Sequence, residues 1–162
     1  MSHQEESIQA LLDKQAITEV IHRYCRGVDR SDRDLINSVY HDDALDNHGI
    51  WKGKGVDFSA WMLPQLTETK TSHMVTNLSI ELQGDAAFTE AYCFTVSEDT
   101  NGRLTVFCRY VDRFEKRNNE WKIANRVVVF DIFNADSLGE KPDMGPNLTY
   151  GCRSAADPSY QK

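Results

Sequence analysis

Residues 104–133 read LTVFCRYVDRFEKRNNEWKIANRVVVFDIF, two long runs rich in β-branched and aromatic residues that flank the turn signal Asn118-Asn119. Working upstream, Phe88, Tyr92, Phe94 and Val96 mark another run, which ends at Asp99-Thr100-Asn101-Gly102. Its Asn-Gly pair is a strong hairpin signal. Before that, Met74, Thr76, Leu78, Ile80 and Leu82 alternate with polar partners up to the turn at Gly84-Asp85. The pattern predicts four long strands in an antiparallel meander from about His73 to Phe133.

The first seventy residues have a different period. Ile8, Leu11, Leu12, Ile17, Val20, Ile21, Tyr24, Cys25 and Val28 recur at helical spacing, which predicts a long amphipathic helix over Ser7 to Val28. Gly27 and the polar Asp29, Arg30, Ser31 and Asp32 are expected to stop it, placing Asp29 at a helix-to-helix corner. Ser31 or Asp32 can cap a short second helix with Leu35, Ile36 and Val39. His41 to Trp51 suits a small strand or an irregular crossover, and a third helix through Phe58, Trp61, Met62 and Leu66 is shortened or kinked by Pro64. Helices first and long strands after predict α+β: a curved, mostly antiparallel sheet with N-terminal helices forming a cone-shaped apolar pocket. The whole chain, 1–162, reads as one domain, with 134–162 a C-terminal tail rather than a further strand.

Composition narrows the partners. Twenty-five acidic residues against 18 basic ones give a formal charge of -7, with no basic run to track a phosphate backbone, so nucleic acid is not expected. No apolar stretch approaches the roughly 20 residues that cross a bilayer, and the N-terminus opens polar and acidic, so neither a membrane partner nor a leader is expected and the localisation read is cytoplasmic. Cys25, Cys93, Cys108 and Cys152 form no CxxC pair and read as reduced, packed thiols. The triplets Asn77-Leu78-Ser79 and Asn147-Leu148-Thr149 match glycosylation acceptors but carry no weight without a signal peptide. No dinucleotide fingerprint, phosphate loop or nucleophile elbow occurs, and no cofactor is expected.

Few polar residues stand where chemistry could use them. His73 lies beside the apolar series of the first long strand, where it is either a structural histidine or a base whose tautomer another group sets. Asp29 reads alone as a corner residue capping backbone N–H groups, and Tyr24 as helix-face packing. Arg126 shares a strand face with Val128 and Phe130, so its guanidinium must pair with a carboxylate or face a polar cavity. Asp42, Asp43, Asp46 and His48 are suitable metal-ligand types, but their spacing matches no metal signature and they read as solvated loop charges; no metal site is expected. The pocket walls are expected to draw on Trp51, Phe58, Trp61, Tyr92, Phe107 and Phe130.

Four motifs in order, Tyr24-Cys25-Arg26-Gly27-Val28-Asp29, Ser72-His73-Met74-Val75-Thr76-Asn77, the Trp121 to Arg126 spacing and Asp157-Pro158-Ser159-Tyr160, resemble the SnoaL-like family over nearly the whole chain. That family has the nuclear-transport-factor-2-like cone fold and includes scytalone dehydratase, hexachlorocyclohexane dehydrochlorinase and bile acid 7-alpha-dehydratase. The resemblance implies a catalytic His-Asp pair at His73 and Asp29 and a cavity arginine at Arg126. Tyr24 falls where the bile acid enzyme has a tyrosine and the dehydrochlorinase a lysine, while the tail resembles neither closely. Two functions follow. One is a cofactor-independent lyase (dehydratase-like) or isomerase acting on a small cyclic apolar substrate, with His73 as base, Asp29 fixing its tautomer, and Arg126 and Tyr24 stabilising charge on oxygen. The other is a non-catalytic ligand-binding or subunit-contact domain of the same fold. Sheet faces left uncovered by helices point to a homodimer or homotrimer.

Overall fold

The computed structural model describes residues 2–139, 149 and 151–160. It contains the helices α1 (His3–Arg30), α2 (Arg33–Asn37) and α3 (Gly55–Met62), and the strands β1 (Tyr40–Asn47), β2 (Lys52–Lys54), β3 (Lys70–Gln83), β4 (Ala86–Glu98), β5 (Arg103–Arg117) and β6 (Glu120–Asp136). The strands form one curved, unclosed sheet in the order β2-β1-β6-β5-β4-β3. The meander β3 to β6 is antiparallel throughout, and the expected four strands are joined by two more. The segment after α2, expected as a small strand or crossover, becomes β1 and runs parallel to β6, with Asp46 beside Arg126. Among the described residues, no helix is long and apolar enough to cross a membrane.

The long helix is longer than its apolar stripe. Ser2 caps its start in a reciprocal pair with Glu5, satisfying free backbone donors ahead of the first apolar residue. Its end is set by Ser31, which takes the left-handed conformation at φ 53° and sends its N–H back to the last turn, rather than by Gly27. Gly27 lies inside the helix for a packing reason, since a Cβ there would stand 2.8 Å from Ile36 Cγ1 and push α2 away. As expected, Pro64 limits the third helix: α3 closes at Met62 and Leu63–Leu66 continues as a 3-10 turn.

The core lies between α1 and the concave sheet face. Ile17, Val20, Ile21, Tyr24 and Val28 of α1 meet Ala87, Ala91 and Cys93 of β4, Cys108, Tyr110 and Phe114 of β5, and Trp121, Ile123 and Val128 of β6. All four cysteines are free. The start of the tail, Asn134 to Asp136, extends β6, which therefore outruns its expected end. Further on, the tail returns to the end of α1: Asp157 pairs with Arg30 at 3.3 Å, Tyr160 donates to Asp32 at 2.7 Å, and Arg26 lies over the Tyr160 ring. Asn147 and Leu148 of the second glycosylation-type triplet lie outside the described residues.

Candidate functional site

A cavity of about 200 Å³ opens between α1, α3 and the concave face of the sheet. Its walls are largely apolar, from Val28, Phe58, Met62, Val106, Val128 and Phe130, with Tyr24, His48 and His73 among the polar groups that line it. A wider groove of about 640 Å³ shares Leu66, Ser97 and Leu104 with it and forms its vestibule.

His73 stands on the inward face of β3 opposite Thr95, both in the cavity wall. Its Nδ1 lies 2.6 Å from Asp29 Oδ1, and its backbone N–H donates to Asp29 Oδ2 at 3.0 Å. Thr71, two residues earlier on the same face, donates to Asp29 Oδ1 at 2.9 Å and bonds to Arg153 of the tail. The last turn of α1 thus carries a carboxylate across to β3, and this carboxylate sets the imidazole tautomer with Nδ1 protonated. Nε2 has no hydrogen-bond partner among the described residues.

Five residues earlier on α1, about 7.5 Å along the axis, Tyr24 meets a second imidazole. Its hydroxyl is 3.0 Å from His48 Nε2, and His48 Nδ1 bonds to Asp46. Asp46 is 2% exposed and accepts a further bond from Tyr40 Oη at 2.5 Å. The His48 ring stacks on Phe58 at 4.0 Å between centroids. Asp46 and His48, which read in sequence as solvated loop charges, turn inward instead: Ala44, Asp46 and His48 share the inward parity of β1, while Leu45 is 58% exposed. With carboxylate in and leucine out, this strand inverts the usual pattern, so its inward face carried no signal in the sequence. Asp43 instead pairs with Arg117 outside, and no cluster of three metal-ligating side chains occurs among the described residues.

Arg126 does not reach the cavity. It is 0% exposed and forms a two-pronged bond to Asp112, its cross-strand neighbour, at 2.6 and 2.8 Å. The guanidinium is sandwiched between the Tyr24 and Tyr110 rings, 4.3 Å from each centroid, so it acts on the cavity only through them. Of the two fates open to it in the sequence, carboxylate pairing is the one observed. Burial pushes the Tyr24 hydroxyl well above the usual tyrosine range, against the opposing pull of Arg126, so Tyr24 stays a protonated donor.

The expected aromatic lining divides. Phe58 and Phe130 are in the wall, whereas Trp51 and Trp61 pack behind Phe58, with centroids 5.2 and 6.0 Å from its own. Tyr92 and Phe107 are corrections: each is more than 40% exposed on the outer sheet face, because strand parity gives the inward positions to Ala91 and Cys93, and to Val106 and Cys108.

Several solved structures share this architecture. A hexachlorocyclohexane dehydrochlorinase of type 2 superposes with a TM-score of 0.75 at 21% identity, covering 88% of this chain and 99% of its own. The type 3 enzyme of Novosphingobium barchaimii gives 0.74 at 20%, covering 86% and 99%. A scytalone dehydratase-like protein of Novosphingobium aromaticivorans gives 0.72 at 16%, covering 84% and 99%. At such identities the likeness is one of fold. Comparison with curated protein sequences gives no match. The profile of the SnoaL-like domain matches residues 9–127, most of the chain and all but one of the sequence motifs, and the protein therefore belongs to the SnoaL-like domain family.

Proposed function

We propose that the protein is a cofactor-independent lyase of the dehydratase type, or an isomerase, acting on a small cyclic apolar substrate by His-Asp general-base catalysis. One observation carries the reading: an imidazole in an apolar cavity wall, bonded through Nδ1 to Asp29 and with Nε2 unbonded among the described residues. His73 Nε2 takes a proton from substrate carbon, and the Asp29 carboxylate stabilises the imidazolium that forms. Tyr24, backed by Arg126, presents a hydroxyl to oxygen on which charge develops. Membership of a family with dehydratase and dehydrochlorinase neighbours supports the reaction class. A homodimer or homotrimer, joined through the outer sheet face, belongs to the same reading.

The test is substitution on any substrate the protein turns over. His73→Gln abolishes turnover while ligand affinity and fold persist. Asp29→Asn offers the ring an amide donor and favours the wrong tautomer, with a loss of up to about 10⁴-fold, the scale that the same change produces in serine-protease triads. A loss of about 1 kcal/mol in stability with activity nearly unchanged would instead make Asp29 a capping residue and the protein a binding domain.

A further inference from the structure

The elimination read for His73 needs a second proton if the departing group is oxygen. Removal of H and OH from neighbouring carbons releases a hydroxide that must be protonated as it leaves, whereas a halide leaves without help. A second imidazole, His48, lines the same cavity. His73 is on β3, at one edge of the sheet, and His48 follows β1, four strand positions away in the order β1-β6-β5-β4-β3, yet both line the same cavity. Tyr24 and Asp29, which bond to the two rings, lie five residues apart on one helix, about 7.5 Å along its axis.

The geometry points to His48, held by Asp46, as a proton-relay residue that supplies a proton through the Tyr24 hydroxyl to an oxygen of the substrate. The substrate therefore carries a hydroxyl leaving group or a carbonyl, and the inference rests on the reading of His73 as base. Asp46 fixes a proton on Nδ1, so neutral His48 accepts from Tyr24 at Nε2, and protonated His48 donates there and frees the Tyr24 proton for the cavity. In the dehydration, the carbon proton passes to His73 Nε2 and its bonding pair becomes the new C=C bond. The C–O bond breaks, the oxygen takes the Tyr24 proton, and Tyr24 takes the proton on His48 Nε2. Water leaves, His73 is imidazolium, His48 is neutral, and solvent in the vestibule returns one proton from the first ring to the second.

Charged and titratable groups surround the second ring. From β1, Asp46 and Tyr40 face it; from α1, Tyr24; from β5, Asp112 and Tyr110; from β6, Arg126; and α3 contributes only the apolar Phe58. Of the two buried carboxylates, Asp112 bonds to the guanidinium and Asp46 bonds to His48 and Tyr40. The Tyr24 hydroxyl, raised well above its ordinary range by burial against the pull of Arg126, does not ionise in competition.

The probe is a dinitrophenolate anion, chosen to be ionised from about pH 5 to about pH 8, where histidine changes charge. Its affinity is followed by visible absorbance and needs no turnover. Wild-type protein binds it about tenfold or more tightly at the acid end, as expected for a charge-assisted donor facing an oxyanion. His48→Gln and Asp46→Asn, each checked for fold by circular dichroism, flatten that pH profile, which a merely structural role for His48 would leave in place. His73→Gln retains the profile. No binding by wild-type protein, or a profile that survives in His48→Gln and vanishes in His73→Gln, overturns the relay. Neither result touches the His73 reading, which stands or falls on turnover.

Discussion

Arg126 and Asp112 show how a buried charge can serve a site it never touches. Both side chains are fully buried, and burial pushes the Asp112 carboxyl up despite the attraction of Arg126, so taking this pair from water costs more than ordinary packing would. What the pair does is fix the Tyr24 and Tyr110 rings on either side of the guanidinium. Asp112→Ala should therefore cost about 3–5 kcal/mol, because it leaves an uncompensated cation in the core. The double change Asp112→Leu with Arg126→Met should recover most of that stability and still lose Tyr24-dependent activity. Urea denaturation of the two variants checks the first part, and turnover the second. A single mutant as stable as wild type would mean that solvent reaches the guanidinium.

The elements owe their placement to close approaches as much as to periodicity. The start of α3 comes so near β1 that a Cβ on Gly55 would stand 2.3 Å from Tyr40 Cδ1, and Tyr40 is the residue that donates to Asp46. Gly55→Ala should thus force the ring aside, lower stability by about 1–3 kcal/mol as overpacking does, and loosen the Asp46-His48 pair with it. Gly139→Ala, with nothing among the described residues within 4 Å of the added carbon, is the control and should leave the denaturation midpoint unchanged. Equal midpoints in the two variants would show that α3 shifts freely. The helices themselves were legible in sequence because their apolar spacing is local, and so was the break at Pro64. The end of α1 was legible to within two residues, since Ser31 is among the residues expected to stop it, but Gly27 lies inside the helix because α2 returns against it.

The outer sheet face carries Met74, Phe88, Tyr92, Phe107 and Ile132, each more than 40% exposed, interrupted by the Glu90-Arg109-Asp131 ion network. Among the described residues no helix covers it, and this is the face through which the proposed dimer or trimer would join. Sedimentation should give a dimer or trimer mass for the wild type and a smaller species for Phe107→Glu; a monomeric wild type would end that expectation. The three helices, the four long strands of the meander, the α+β class and the candidates His73, Asp29 and Tyr24 were readable from the chain alone, whereas β2 and the pairing of β1 with β6 were not. Period and turn chemistry are properties of neighbouring residues, and the family motifs lie within such stretches. Three matters waited on strands and helices far apart in sequence: which parity of each strand faces inward, which sent Tyr92 and Phe107 out and Asp46 in; which carboxylate meets Arg126; and that His48 shares a cavity with His73. Burial and partnership depend on long-range pairing and register, and a one-residue difference in register reverses every side chain of a strand, so no local pattern fixes them.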